Sequence, residues 1–384
     1  MVESIYLDHA ATTPPRREVV ERMAELAWRY PANPESVHTP GQAARSELER
    51  SRDTFARAFG VPPQGVIFTA CGSEANGLAI LGTALARELR GHLVSLTIEH
   101  HSVLHHLELA RRLGMEVTLV EVGPSGVAET ERVLAAVRED TVLVSVMAVN
   151  NELGTIQPIG EIYAALRERG VTFHCDAVQA VAHPGFDLRD FPADLITIAC
   201  HKFYGPKGVG VLIRKGEVPL MGVVRGGAHE FDLRAGTHNL PAIGGGAMAL
   251  EMLLAERRDY AQRIREMRDR FEEMVLAAEV GAVVNGDPQR RAEGISNLSF
   301  PGLSSETLVL RLDLEGVACS AGSACTSGSL EVSHVLRAIG VGDERARSAV
   351  RFSFGLTNTM EDVEWAAERV VRVVRTLRQG IRVG

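Results

Sequence analysis

Short apolar runs recur along this chain at residues 66–69, 93–98, 116–120, 142–148, 171–175, 194–198 and 209–213, and helical patterns fill most of the gaps between them. Runs of this length read as buried strands, and strands that alternate with helices build a largely parallel sheet. An α/β fold is therefore expected. Helical stretches over 16–30 and 41–59 precede the first run, and Leu78, Leu81, Leu85 and Leu89 mark one helical face after it. A glycine-rich passage, 225–246, leads into a long helical pattern over 245–278. Shorter units then resume, with strands expected at 294–300, 316–319 and 348–354 and helices at 304–314, 330–339 and 360–379. This change of rhythm divides a large domain from a smaller C-terminal α/β domain, with the boundary inside 245–280.

Charge and cysteine usage exclude several functions. The 384 residues carry 41 basic and 49 acidic side chains, a net charge of -8, with no long run of one sign, so no nucleic-acid footprint is expected. No apolar stretch approaches the roughly 18 residues of a membrane helix, and the first residues lack a basic patch followed by an apolar run. A cytoplasmic protein that does not enter a membrane is expected. The five cysteines are scattered without a C-x-x-C pair, which favours free thiols over a disulfide framework or zinc site. His101 and His105 lie four apart, but no acidic or cysteine ligand completes a set nearby, so no metal is expected. Only three of the 41 basic residues are lysines, Lys202, Lys207 and Lys215, so any lysine-dependent chemistry falls on one of them.

In a parallel sheet, ligands bind outside the carboxyl ends of the strands, where loops from several strands open on one crevice. Reading just past each run gives Gly72-Ser73, His100-His101, Asn150-Asn151, Asp176 with Gln179, and His201-Lys202. Gly72-Ser73 stands where a helix N-terminus would favour a phosphate, although Ser73 serves equally well as a plain cap. Lys202 follows an apolar strand and sits in a partly dry place, as a Schiff-base lysine requires. Asp176 suits the pyridinium nitrogen of pyridoxal phosphate, with Gln179 near a ring substituent; a turn aspartate is the plain alternative. His100 is placed to lie on a ring and move protons.

The segment 319–331 is made almost wholly of small residues around Cys325, which suits a nucleophile that travels; a Ser/Gly turn with an incidental thiol stays open. Cys175 and Cys319 read as core thiols, while Cys71 and Cys200 read either way. Arg351, on an expected strand, offers a planar donor fork for a carboxylate.

Together these residues resemble the NifS/IscS-like cysteine desulfurases, pyridoxal-phosphate enzymes of the aspartate aminotransferase fold. The resemblance runs from Tyr-Leu-Asp-His-Ala-Ala-Thr-Thr-Pro (6–14) through Asn-Pro-Glu-Ser-Val-His (33–38), Asn-Asn-Glu-Leu-Gly (150–154), His-Lys-Phe-Tyr-Gly-Pro-Lys-Gly (201–208) and Ser-Ala-Cys-Thr-Ser (323–327) to Arg-Phe-Ser-Phe-Gly (351–355). It implies a large domain over 15–260 and a small one from 1–14 and 261–384, carrying the cysteine loop. It implies Lys202 as the cofactor lysine, Asp176 at the pyridine nitrogen, His100 on the ring, and Gln179 and Asn151 near its phenolic oxygen. Gly72, Ser73 and His201 would hold the phosphate, joined by Thr237 of a second subunit in a homodimer. Asn33 and Arg351 would hold the substrate carboxylate. Cys325 would take the sulfur of L-cysteine as a persulfide, leaving alanine, and pass it to an iron–sulfur scaffold or tRNA-thiolation protein. Selenocysteine lyases, cysteine sulfinate desulfinases and aminotransferases share the fold, and a non-catalytic sulfur-relay protein is the alternative outside enzymes. One departure stands out: Ala199 replaces the usual hydroxyl two positions before the His-Lys pair, next to Cys200 where a small residue is common.

Overall fold

The computed structural model describes residues 4–322 and 332–382. In chain order, strand β1 (Ile5–Tyr6) and helices α1 (Arg17–Arg29) and α2 (Thr39–Phe59) come first. The main sheet follows as β2 (Val66–Thr69), β3 (His92–Leu96), β4 (Glu116–Val120), β5 (Thr141–Ser145), β6 (Thr172–Asp176), β7 (Leu195–Ala199) and β8 (Gly210–Arg214). Helices α3 (Gly72–Ala86), α4 (His101–Arg112), α5 (Thr130–Ala135) and α6 (Ile159–Glu168) connect its earlier strands, and α7 (Leu240–Ala277) leaves it. The remainder comprises β9 (Val283–Val284), β10 (Ile295–Ser299), α8 (Ser305–Leu314), β11 (Val317–Ala318), α9 (His334–Ala338), α10 (Asp343–Ala346), β12 (Ala349–Ser353) and α11 (Met360–Arg382).

The main sheet has the order β2-β8-β7-β6-β5-β3-β4. Strands β7, β6, β5, β3 and β4 are parallel, while β8 runs antiparallel to both β7 and β2. Two reversals cancel, so β2 points the same way as the parallel five. Side chains alternate between its faces, as the pleat requires. Val66, Phe68, Val211 and Ile213 join a core with Phe55 of α2 and Leu250 of α7. Ile67 and Leu212 join the opposite core with Leu81 of α3 and Leu107 of α4.

A third core gathers Leu7, Phe271, Phe300, Phe352, Phe354 and Val370 around the antiparallel sheet β12-β10-β9. The N-terminal strand belongs to this region, because β1 pairs in parallel with β11. Helix α7 spans both regions: Leu250 and Leu253 pack in the first core, Ile264 and Phe271 in the third. Its 38 residues extend about 57 Å.

Two boundaries differ from expectation for physical reasons. Helix α7 starts at Leu240, five residues early, with Asn239 as its N-cap. Residues 240–244 read as part of the glycine-rich passage, but Cβ atoms added to Gly244, Gly245 and Gly246 would fall 2.3 Å from Leu26, 2.6 Å from Met23 and 2.7 Å from Cys200. Close packing against α1 and the site therefore overrides their low helix propensity. Strand β5 ends at Ser145 although the apolar run continues, because Met147 and Val149 turn out of the ladder and line the site. Of the helix expected at 330–339, α9 covers His334–Ala338, and 330–331 lie outside the described residues.

Candidate active site

A cavity of about 180 Å³ opens at the carboxyl ends of β2, β3, β5, β6 and β7. Gly72, Ser73, His100, Asn151 and Asp176 line it from four strand ends. Gln179, His201, Lys202 and Arg351 also stand on its wall, joined by Ala199 and Cys71.

The Gly72-Ser73 turn sits where β2 passes into α3. Cys71, not Ser73, is the N-cap, and its side chain makes no capping bond. Ser73 therefore lies in the first turn of the helix with its side chain exposed, among N–H groups that have no intrahelical acceptor. The close approach of β8 makes room for this turn: a Cβ on Gly210 would lie 2.2 Å from the Cys71 carbonyl carbon. His201, in the 3-10 turn after β7, bonds Thr12 Oγ1 through Nδ1 at 3.1 Å. Burial, then the charges of Lys202 and Lys207, pull its pKa down to about 4, so it enters the site as a neutral ring.

Lys202 is half-buried, and its Nζ donates to the carbonyls of Ala10 and Ala11 at 2.5 and 2.7 Å. Gln179 Nε2 donates to the same Ala10 carbonyl at 2.9 Å. The segment after β1 thus straps the mouth of the cavity, anchored where Thr13 N donates to the His201 carbonyl. Asp176, at the end of β6, accepts from Val178 N at 3.0 Å and from Asn76 Nδ2 at 2.8 Å. Burial lowers the pKa of His100, with Asp176 opposing that shift and Lys202 adding to it.

Arg351 on β12 is 1% exposed and already engaged. Its guanidinium pairs with Asp8 at 2.8 Å and donates to the Asn151 carbonyl at 2.8 Å, while Nε has no partner among the described residues. Asp8 in turn accepts from Ser320 Oγ at 2.9 Å, and Ser320 forms an isolated bridge with Arg351. Ser333 Oγ donates to Glu152 at 2.6 Å. Both flanks of the cysteine-bearing segment are thereby tied to residues beside the cavity; Cys325 itself lies outside the described residues.

Two expected residues do not reach the cavity. Asn33 is exposed and spends its side chain on a turn, accepting from Glu35 N at 2.9 Å. Thr237 is exposed on the passage that precedes α7. Sequence reasoning missed Asn76 and Ser102, which line the cavity, and Asp8, although Asp8 stands inside the first motif. Glu99 was missed too: it is fully buried, its Oε1 accepts from Met147 N, and Oε2 has no partner among the described residues. Burial pushes the pKa of its carboxyl well above the ordinary range.

Among the cysteines, Cys71 is exposed, Cys175 and Cys200 are buried, and Cys319 is intermediate. Cys200 fills the contact with Gly246 of α7, and burial raises its pKa. The rings of His101, His105 and His334 lie 4.4 to 5.2 Å apart in sequence of contact, yet among the described residues no group of three His, Cys, Asp or Glu is placed to hold a metal. No helix among the described residues is long and apolar enough to cross a membrane.

This arrangement of lysine, strand-end carboxylate and helix-terminal phosphate turn matches a family profile described as aminotransferase class-V, over residues 5–365. The chain belongs to the class-V aminotransferase family. Within that family its relatives are cysteine desulfurases. A putative cysteine desulfurase IscS 1 of Bacillus subtilis is 42% identical over 98% of this chain and 100% of that protein. A solved NifS-like protein superposes with a TM-score of 0.91 at 31% identity, covering 97% of this chain and all of the other. A structure described as SspA in complex with cysteine superposes at 0.80 and 31% identity, covering 91% and 98%.

The class-V aminotransferases of this branch depend on pyridoxal phosphate. The residues present fit that group. The cavity joins an amine on Lys202, a buried carboxylate on Asp176 and a helix N-terminus at Gly72, and Asn76 Oδ1 lies buried in it with no partner among the described residues.

Proposed function

We propose that this class-V aminotransferase takes the sulfur of free L-cysteine, releases L-alanine and holds the sulfur as a persulfide on Cys325 for transfer to an acceptor protein. The observation that carries the reading is the convergence of Lys202, Asp176, His100 and the Gly72-Ser73 turn in one cavity, with Arg351 on its wall.

Lys202 would hold the cofactor, Asp176 its pyridine nitrogen, Gly72, Ser73 and His201 its phosphate, and Asn151 and Gln179 the phenolic edge. Bound pyridoxal phosphate supplies an electron sink for the carbanion formed at the substrate's α-carbon. Around it, Arg351 orients the substrate carboxylate, in competition with Asp8, and Asn33 closes on it from its turn. Lys202 Nζ would take the α-proton of the bound substrate. The Cys325 thiolate then attacks the substrate sulfur: an S–S bond forms, the carbon–sulfur bond breaks, and the electron pair stays with the carbon fragment. Protonation of that fragment by Lys202, which carries the α-proton, with His100 donating a hydrogen bond beside it, yields alanine.

The protein would work as a homodimer. Thr237 is exposed in the single chain, as are Val224 and Phe231 on the same passage, which suits a surface that meets a second copy and lends Thr237 to its phosphate site. We divide the chain into a large domain over 15–260 and a small domain from 1–14 and 261–384, on the strength of the separate third core and the β1–β11 pairing. An iron–sulfur scaffold or a tRNA-thiolation protein is the fitting acceptor, in a reducing cytoplasm where the free thiols persist.

The test is alanine and sulfide formation from L-cysteine by the purified protein with pyridoxal phosphate and a reductant. Wild type should give equimolar products, and Cys325→Ala should give no persulfide. Turnover of L-cysteine untouched by Cys325→Ala would overturn the nucleophile, and no turnover by wild type would overturn the activity.

A further inference from the structure

The hydrogens around His100 leave one choice for its proton. Asp176, as a carboxylate, only accepts, so the Asn76 atom 2.8 Å from its Oδ2 is the amide nitrogen Nδ2. The second hydrogen of Nδ2 goes to Ser102 Oγ, also at 2.8 Å. Ser102 Oγ lies 2.8 Å from His100 Nδ1 and keeps its own hydrogen to give it. The backbone N–H of Ser102 donates to the same Nδ1 at 3.1 Å. Nδ1 is thus an acceptor twice over, and the neutral ring carries its proton on Nε2. A proton on Nδ1 would face the Ser102 backbone N–H, a donor fixed by helix α4.

The packing of two helices holds this chain of bonds together. Asn76 lies on α3 and Ser102 on α4, and the two approach closely because residue 77 has no side chain: a Cβ on Gly77 would fall 2.6 Å from His106 Nε2. His106 in turn bonds the Ser102 carbonyl through Nδ1. Asn76 is 1% exposed.

We propose that Asn76 and Ser102 are positioning residues that hold His100 as the neutral Nε2–H tautomer and tie it to Asp176. In the desulfurase reaction, His100 then presents its Nε2–H to the site as a hydrogen-bond donor, and Nδ1 takes no proton. This last statement rests on the proposed function; the tautomer itself does not. Among the described residues, the charged and titratable groups that act on the ring include Asp176 from β6, Lys202 after β7, His101 on α4 and His334 on α9. Asp176 favours the imidazolium and the other three oppose it. The bonds to Nδ1 also oppose it, since both donors suit only an unprotonated nitrogen.

Ring ¹⁵N chemical shifts of cofactor-free protein test the tautomer, with His100→Gln locating the resonance among the 13 histidines. Wild type should show a protonated Nε2 and a bare Nδ1. Ser102→Ala and Asn76→Ala should move the two nitrogens toward averaged values and raise the His100 pKa toward the ordinary imidazole range, while Ser102→Thr, which keeps the hydroxyl, should restore the wild-type pattern. In the holoenzyme, Ser102→Ala should lower kcat about tenfold with little change in KM and move the acid limb of the pH profile upward. A wild-type ring protonated on Nδ1, or shifts that both alanine variants leave unchanged, would overturn the proposal. A protein that makes no alanine yet shows the expected shifts would sink the desulfurase reading and leave the tautomer standing.

Discussion

Replacing Glu230 by Gln should cost about 3 kcal/mol of stability at neutral pH and almost none in acid. The carboxylate lies in a buried cluster just before Thr237. Its Oε1 accepts from Arg52 Nη2 at 2.7 Å and His238 Nε2 at 2.6 Å, and its Oε2 accepts from Arg52 Nη1 at 2.9 Å and Phe68 N at 2.7 Å. The Arg52 guanidinium lies 4.8 Å from the Phe68 ring centre and 5.2 Å from that of Phe231. Burial alone would raise the Glu230 pKa, but the bonds from Arg52 and His238 outweigh it and bring the value down to about 2. Against an ordinary value near 4.3, a shift of roughly 2 units corresponds to about 3 kcal/mol. Breaking a buried ion pair from one side gives a similar figure, about 3 to 5 kcal/mol. The amide offers no refuge, since whichever way it turns, its nitrogen faces two donors.

Because the folded-state pKa is depressed, this stabilisation is complete above the unfolded value and is lost as pH falls through about 2. Urea unfolding of cofactor-free wild type and Glu230→Gln at a series of pH values reads it directly. The gap should be widest at pH 7 and narrow steadily below about pH 4.5. The cluster also holds Glu230, Phe231 and Asp232 at φ of 47°, 59° and 63°, a left-handed run that costs about 1 to 2 kcal/mol per residue without glycine. Releasing it should loosen the passage that carries Thr237. A gap under about 1 kcal/mol, or one that does not change with pH, would refute the reasoning.

Asp8→Asn leaves the buried Arg351 guanidinium without its charge partner, so thermal unfolding should show a loss of about 3 kcal/mol. Because Asp8 also competes with a substrate carboxylate, KM for L-cysteine should fall in the same variant; a rise in KM with unchanged stability would contradict this. Ala199→Ser restores a hydroxyl to the cavity wall next to Gly72, where an added Gly72 Cβ would lie 3.3 Å from the Ala199 Cβ. Its dissociation constant for pyridoxal phosphate, measured by equilibrium titration, should fall about tenfold, the worth of one hydrogen bond to a charged group. An unchanged constant would mean that the proposed grip by Gly72, Ser73 and His201 gains nothing from a further hydroxyl.

The local pattern of the sequence determined the α/β architecture, because burying a strand on both faces forces an apolar run and each crossover leaves a helical stretch. It also placed Lys202, Asp176, His100 and the Gly72 turn at strand ends, since residues just past an apolar run must lie at the edge of a parallel sheet. The glycine-rich passage hid the first turn of α7 for the converse reason: the contacts of Gly244, Gly245 and Gly246 with Leu26, Met23 and Cys200 have no signature in the local sequence. Partners far apart in the chain were equally silent. Asp8 meets Arg351 across 343 positions, Asn76 meets Asp176 across 100, and Arg52 meets Glu230 across 178. Each looks like an ordinary polar residue of a helix or turn until the sheet order and the close crossing of α3 and α4 fix its neighbours. The sequence by itself thus determined which residue types stand at the rim of the site. Only the tertiary structure decided how they are held, because hydrogen-bond partners and burial, which set charge and tautomer, are properties of space and not of spacing along the chain.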